Sequence, residues 1–286
     1  MNTPLRSILA TTSLALALIA PQLNAATLPL NINFNADDGT AHVNDFGVYQ
    51  WNNGGGSWSI TTSTDAGMGS GNVARNSGGG VANTRLYIQW DPVTLTNVGD
   101  SLTVSLLFRS VLSADTSNNF QLALVDSNQT ALAADPTFNA PANNDPMNLA
   151  TGFGYRLTTT GPAVQVIEYV GTSSTSGSTP VVNDTIAGSQ ALIFNTVAQT
   201  LSYTLTKTAT GVSMSVASSS GYSFSNEQLS AGTLDFDTFM LRAGVASYVD
   251  DISISYASNI PEPSTAALLV GAGMLTLAGV GRRRRG

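Results

Sequence analysis

The feature that most constrains the fold is a repeated alternation of apolar and polar residues along the body of the chain. Four segments show it clearly, at residues 102–108, 201–206, 212–216 and 252–256. An alternation with a period of two residues gives a strand one buried and one solvated face, whereas an amphipathic helix needs a period near 3.6. Because no stretch of the body has the helical period, the sequence predicts an all-β domain.

The number and spacing of the strands predict how they are arranged. Further strands are expected at residues 28–34, 57–62, 84–90, 119–126, 152–159, 163–170, 191–197 and 236–242. Residues 207–211 join two alternating segments and end in glycine, which is typical of a β-hairpin. About a dozen strands without intervening helices favour two antiparallel sheets packed as a sandwich. A β-barrel is the alternative architecture.

The composition excludes several classes of function. The chain contains no cysteine, so it has no disulfide, thiolate metal site or cysteine nucleophile. Between residues 26 and 258, six cationic side chains stand against seventeen carboxylates, which gives a net charge of −11. A surface of this charge repels nucleic acid and attracts divalent cations. We therefore expect no nucleic-acid partner.

The N-terminus has the composition of a secretory signal peptide. Arg6 precedes an apolar run over residues 8–20, and Pro21 ends that run. The run is too short to span a bilayer, and the small residues Ala25 and Ala26 follow it. The sequence therefore predicts export, with cleavage by signal peptidase after residue 25.

The C-terminus consists of three consecutive parts with different chemistry. The first is an extended segment formed by Pro261, Glu262, Pro263 and Ser264. An uncharged run over residues 264–281 follows, and the third part is Arg282, Arg283, Arg284 and Arg285. As a helix, the run would be about 27 Å long at roughly 1.5 Å per residue, close to the ~30 Å hydrocarbon core of a bilayer. The arginines resist translocation, so they act as a basic stop that leaves the body outside.

This tail resembles the PEP-CTERM sorting signal of bacterial exported proteins. The resemblance implies that an exosortase, a membrane-bound cysteine protease, recognises and removes the tail. It also implies an inner-membrane precursor anchored by the C-terminal helix, and a mature protein at the cell surface or in the extracellular matrix. The predicted organisation is a signal peptide at residues 1–25, a β-sandwich domain at 26–258 and a sorting tail at 259–286.

Three segments of the body resemble the C-terminal half of concanavalin A-like (laminin-G-like) jelly rolls. They are the serine-rich hairpin at residues 206–212 and the segments at residues 236–241 and 249–254. The resemblance implies an antiparallel jelly-roll sandwich whose first and last strands run side by side. It leaves two functions open, a non-catalytic matrix component that binds glycan and a hydrolase that acts on extracellular polysaccharide.

The acidic residues argue against the hydrolase. Glycoside hydrolysis needs two carboxyl groups on either side of the bond, about 5 Å apart in retaining enzymes. Laminarinase-type members of the fold place two glutamates within one short motif, but the glutamates of this body, Glu168 and Glu227, are fifty-nine positions apart. A Ser-His-Asp triad would need the single histidine, His42, and a nucleophile-elbow motif, and the sequence contains no such motif. We therefore predict no catalytic residues.

The glycine-rich residues 69–74 and the residues that follow them up to 80 are predicted to be loops.

Two pairs of carboxylates are expected to meet in a jelly roll. Asp37 and Asp38 follow the first predicted strand, whereas Asp250 and Asp251 begin the last one. Calcium takes about six to eight oxygen ligands from carboxylates and carbonyls. The sequence therefore predicts a calcium site formed by the two pairs. The alternative is that the first pair lies in a turn and the second pair accepts backbone hydrogen bonds.

Aromatic residues are concentrated in the first third of the body. Exposed aromatic rings next to polar residues are suited to stacking on the apolar faces of sugars. The candidates for such contacts are Trp51, Trp58 and Trp90. Burial of these rings in the core is the alternative.

Overall fold

A computed structural model describes most of the body of the chain. The described residues are 27–36, 47–51, 58–62, 68, 71–76, 85–110, 120–128, 147, 150–157, 164–171, 181–186, 197–228, 234–243 and 247–259. The predicted signal peptide, the sorting motif from Pro261 to Ser264 and the basic stop from Arg282 to Arg285 lie outside these ranges. Within them, no helix has the length and apolar character needed to cross a membrane.

The described elements are strands, apart from one turn of 3-10 helix at Phe34–Ala36. The strands are β1 (Leu30–Ile32), β2 (Val48–Trp51), β3 (Trp58–Thr62), β4 (Asn72–Asn76), β5 (Arg85–Thr94), β6 (Ser101–Ser110), β7 (Gln121–Asp126), β8 (Thr151–Leu157), β9 (Val164–Val170), β10 (Val181–Ile186), β11 (Gln199–Lys207), β12 (Val212–Ser218), β13 (Ser223–Gln228), β14 (Asp235–Arg242) and β15 (Ser247–Ala257).

These strands form two sheets in which the paired strands are antiparallel. The first sheet has the order β13-β12-β11-β6-β15-β4-β3, and β1 also pairs with β15. The second sheet has the order β10-β9-β8-β7-β14-β5-β2. The prediction of an all-β, two-sheet jelly-roll sandwich is confirmed, and so is the prediction that the first and last strands run side by side.

The core between the sheets follows from the alternation in the sequence. In β6, the side chains of Leu102, Val104, Leu106 and Phe108 are fully buried, while the residues that alternate with these four are partly exposed. The sheets are also joined by a polar contact inside the core, because the hydroxyl groups of Tyr155 and Tyr222 are 2.6 Å apart. The core is therefore built from one face of each sheet.

The second sheet is covered on its outer face as well. Tyr87, Tyr169 and Met240 lie on that face and belong to a second buried cluster. Met147 and Ala150, which precede β8, pack against the same cluster. Because both faces of β14 are covered, six consecutive residues of this strand are buried, and the polar residues Asp237 and Thr238 are among them.

Several strands differ from the sequence prediction. The hairpin between β11 and β12 is confirmed by pairing of Lys207 with Val212. By contrast, β4 was predicted to be a glycine loop, which is wrong, because Val73 and Ala74 are buried and the strand pairs with both β3 and β15. Strands β2, β10 and β13 were not predicted. Of the strand expected at residues 191–197, only Val197 is described, and it lies in a bend before β11.

Strand direction defines two ends of the sandwich. At one end, the chain passes from β4 to β5, from β6 to β7 and from β14 to β15. The last strand, β15, then runs to the opposite end, where the residues that precede the tail are placed. We call the first end the arginine end, because the arginines of the described strands lie there, and the second the exit end, because β15 leaves the sandwich there.

Candidate functional site

A row of polar and cationic side chains crosses the outer face of the second sheet at the arginine end. Arg85 is in register with Arg242, and Arg242 is in register with Gln121. Gln121 is in register with Arg156. Side chains of in-register residues on adjacent strands lie on the same face. With neighbouring strands about 4.8 Å apart, the row spans roughly 14 Å, and its three arginines are partly exposed.

The charges in this row act on one another. Burial, together with the like charges of Arg85 and Arg156, lowers the pKa of Arg242 from 12.5 to about 10, while Tyr169 and Tyr87 oppose the shift. Arg242 therefore remains a cation at neutral pH. The neighbouring arginines destabilise the charged form of Arg242, whereas a bound anion would stabilise it. The row therefore favours binding of an anion.

Neighbouring side chains form hydrogen bonds with members of the row. The side-chain amide of Gln121 donates a hydrogen bond to the hydroxyl of Tyr169, and Nε of Arg156 donates one to Oε1 of Gln165 at 2.9 Å. Burial raises the pKa of Tyr169, whose phenol therefore stays neutral. Trp51, at the edge of the sheet, occupies the register position opposite Arg85.

A second group of arginines lies at the same end, on the outer face of the first sheet. Tyr248 is in register with Arg75 on one side and with Arg109 on the other. The guanidinium carbons of these arginines are 5.6 and 5.8 Å from the centre of the tyrosine ring, which is a cation–π arrangement. All five arginines between residues 26 and 258 therefore lie at this end.

The exit end carries carboxylates. Burial raises the pKa of Asp126, and the nearby charges of Asp237 and Asp235 add to this shift. At the same end, Oε1 of Glu227 accepts hydrogen bonds from the hydroxyls of Thr208 and Thr210, at 2.8 and 2.9 Å. The described arginines are therefore gathered at one end of the sandwich, and the carboxylates of Asp126, Asp235, Asp237 and Glu227 at the other.

Asp100 holds the exit end together. Its Oδ2 accepts hydrogen bonds from the backbone nitrogens of Asn97, at 2.7 Å, and Thr96, at 2.8 Å. Its Oδ1 accepts one from the backbone nitrogen of Asn259, at 2.7 Å. These bonds, that from Asn97 most strongly, lower the pKa of Asp100 to about 2. An ionised carboxylate thus ties the last described residue to the loop between β5 and β6.

The predicted calcium residues are only partly described. Asp37 and Asp38 lie outside the described ranges. Oδ1 of Asp250 accepts a hydrogen bond from the backbone nitrogen of Phe34 at 3.3 Å, and Oδ1 of Asp251 accepts one from the amide of Asn33 at 2.5 Å. Burial raises the pKa of Asp250. Across the part of the chain that the structure describes, no group of three or more histidine, cysteine, aspartate or glutamate residues is placed to hold a metal ion.

The prediction of stacking tryptophans is wrong for two of the three residues. Trp58 and Trp90 are each 1% exposed and belong to the core between the sheets. Their rings are therefore closed off from a ligand by the side chains of the opposite sheet. For Trp51, the structure describes the backbone alone, so its part in stacking stays a prediction.

Sequence reasoning missed the arginine row altogether. The three arginines are contributed by β5, β8 and β14, and only the pairing of these strands with one another and with β7 brings them together. One signal in the sequence could have pointed to a site, because five of the six cations of the body are arginines. Arginine, unlike lysine, presents a planar fork of donors that suits bidentate binding of carboxylates.

Comparison with known proteins identifies the tail. Residues 259–285 match the family described as the PEP-CTERM protein-sorting motif. The chain therefore carries a PEP-CTERM sorting motif behind an antiparallel β-sandwich. No curated protein sequence matches the chain.

Solved structures with a similar fold are lectin-like jelly rolls. Arcelin-5, a lectin-like defence protein from Phaseolus vulgaris, has a TM-score of 0.44 and 11% identity, over 80% of this chain and 98% of arcelin-5. The potassium-bound carbohydrate recognition domain of Emp46p has a TM-score of 0.46 and 9% identity, over 78% of this chain and 94% of that domain. A lectin from Bauhinia forficata in complex with GalNAc has a TM-score of 0.42 and 10% identity, over 81% of this chain and 100% of the lectin.

Proposed function

We propose that the protein is a non-catalytic component of the bacterial cell surface or extracellular matrix, and that its sandwich binds polysaccharide. The observation that carries the proposal is the sorting motif at residues 259–285, which implies an exported protein that is processed by exosortase. In this proposal, signal peptidase removes residues 1–25. The precursor then stays in the inner membrane through residues 264–281 until the tail is removed.

Two features of the body support binding over catalysis. The outer face of the second sheet carries partly exposed arginines, whose guanidinium donors suit the polar groups of sugars. The glutamates that a hydrolase would need are in different sheets, Glu168 in β9 and Glu227 in β13. Glu227 is also engaged by two threonine hydroxyls of the neighbouring hairpin.

A binding assay and a hydrolysis assay together test the proposal. The full-length chain, purified in detergent, is applied to an array of bacterial polysaccharides, and reducing ends are measured after incubation with each polysaccharide. We expect retention on at least one polysaccharide without release of reducing sugar. Release of reducing ends above the blank would contradict the non-catalytic function, and no retention on any polysaccharide would contradict the binding function.

We further propose that calcium binds between the first and last strands. The pairing of β1 with β15 brings residues 33–36 to Asp250 and Asp251, and Asp37 and Asp38 follow residue 36 directly in the sequence. Carboxylates gathered at one place repel one another strongly at low effective dielectric, so a divalent cation there would stabilise the folded state.

Thermal melting with calcium or chelator tests this site. A ligand that binds only the folded state stabilises it by about 2.7 kcal/mol at a hundred times its Kd. We therefore expect millimolar calcium to raise the melting temperature by several degrees, and Asp250→Asn combined with Asp251→Asn to abolish the rise. Asp91→Asn, at an exposed position of β5, is the control and should keep it. Equal melting curves with calcium and with chelator would show that Asp250 and Asp251 serve only as acceptors for Phe34 and Asn33.

A further inference from the structure

We infer that the arginine end of the sandwich binds acidic polysaccharide, with the carboxylates of uronic-acid sugars as the groups it recognises. The inference rests on the proposed function and adds to it the charge of the ligand and the place where it binds. The residues assigned to the site are Arg85, Arg156 and Arg242, with Gln121 between Arg242 and Arg156.

The geometry of the row suits a chain of carboxylates. A guanidinium has a planar set of donors that suits carboxylates. Arg156 donates to Oε1 of Gln165 through both Nε and Nη2, which fixes the orientation of its guanidinium. The row follows the direction across the strands for roughly 14 Å, so it can contact more than one charged sugar of an extended polymer. A lone cation would give charge attraction alone, whereas three arginines in register also set the direction of the polymer.

The cost of the arrangement points to an anionic ligand. Arg85 and Arg242 are direct cross-strand neighbours, and like charges at such positions destabilise a sheet. Arg242 is also half-buried, which makes its charge more costly, as the lowered pKa shows. A carboxylate that binds across these side chains offsets both costs, and this gain adds to the affinity for the ligand.

The cations of the body are concentrated at this end. The body as a whole carries a net charge of −11 and therefore repels polyanions. Its five arginines lie at the arginine end, and Lys207, the remaining cation, stands at the exit end. Among the described residues, a polyanion thus meets a cluster of cations at the arginine end.

The direction of the last strand places the site away from the membrane. β15 begins at the arginine end and leads to the exit end, from which the sorting tail continues. Ten steps of about 3.3 Å separate Ser247 from Ala257, so the two ends are roughly 33 Å apart. In the anchored precursor, the arginine end would therefore face the surrounding matrix and the exit end would face the bilayer.

Binding to alginate, a polyuronate, tests the inference against binding to neutral dextran. The full-length chain in detergent is titrated with oligosaccharides of each polymer. Arg242→Gln and Arg156→Gln, each made singly, should weaken alginate binding at least tenfold. Lys207→Gln removes the same charge at the opposite end and should change it less than twofold. The melting temperature of each variant shows that it is folded, and the two arginine variants serve as replacements for each other if one is not.

Each outcome decides a separate point. A tenfold loss in the arginine variants, with Lys207→Gln unaffected and dextran not bound, supports the inference. Alginate binding that is equal in all variants, or binding of dextran alone, would overturn it while the proposal of polysaccharide binding stands. Binding to neither polymer would overturn the inference, and the array of bacterial polysaccharides then decides whether any polysaccharide is bound.

Discussion

Replacement of Glu262 by alanine is expected to stop maturation, so that the cell accumulates a membrane-bound precursor that keeps its four C-terminal arginines. Proline fixes the backbone dihedral φ and has no backbone donor, so Pro261 and Pro263 lead us to predict an extended segment that a protease can reach. Glu262 is the only charged side chain between residue 252 and the terminal arginines, so it distinguishes this segment from its apolar surroundings. Intact mass of the membrane fraction measures the retained tail directly.

A matched control separates recognition from a general effect of charge. Glu227→Ala removes the same side chain from the body, where the glutamate accepts hydrogen bonds from Thr208 and Thr210. This variant should be processed like the wild type, because its sorting motif is unchanged. If Glu262→Ala also yields a mature protein of wild-type mass at the wild-type rate, Glu262 has no part in recognition.

Replacement of Gly152 by alanine is expected to destabilise the sandwich severely. Gly152 has φ +150°, and a Cβ atom there would lie 2.4 Å from the carbonyl oxygen of Leu124 and 2.7 Å from Cα of Val125. Both of these atoms belong to the backbone of β7, the strand that pairs with β8, so they cannot turn away. Backbone strain and overpacking cost about 1–3 kcal/mol each, so we expect a loss of about 2–5 kcal/mol in the free energy of unfolding, measured by urea denaturation.

Gly47 provides the comparison that isolates the steric part. It has φ +72°, and an added Cβ would find no atom within 4 Å. Gly47→Ala should therefore cost only the penalty of a left-handed conformation, about 1 kcal/mol. If the two variants lose the same stability, β7 and β8 are not as closely packed at Gly152 as the structure has them.

Local patterns in the sequence were sufficient to predict the fold class. Strands β6, β11, β12 and β15 each bury one face, so a period of two residues identifies them. The strands that were missed carry a weaker local signal. β13 is polar at most positions, and β4 is a short strand that is stabilised by its neighbours on both sides. Their positions depend on pairing with distant parts of the chain, which the alternation does not contain.

The candidate site could be predicted only in part. The resemblance to jelly rolls correctly placed the first strand beside the last, whereas the contact of Asn33 with Asp251 was not predicted. The row of Arg85, Arg242 and Arg156 depends on the register of β7 with β14 and β8, and no local pattern encodes that register. The burial of Trp58 and Trp90 could not be settled from the sequence either. An alternating pattern separates the two faces of a strand but does not show which face packs against the other sheet.

The hydrogen bonds of Asp100 set how closely the precursor is tethered. Asn259 is held by the Oδ1 atom of Asp100, and Pro261 is only two residues further along the chain. The predicted anchor begins at residue 264, and the five residues up to it reach at most about 17 Å when fully extended, so the predicted tether is short. A domain on such a tether cannot tumble freely above the bilayer. A force that a matrix polymer applies to the arginine end would be transmitted along β15 to the sorting motif. A long flexible linker would instead extend and reduce that force.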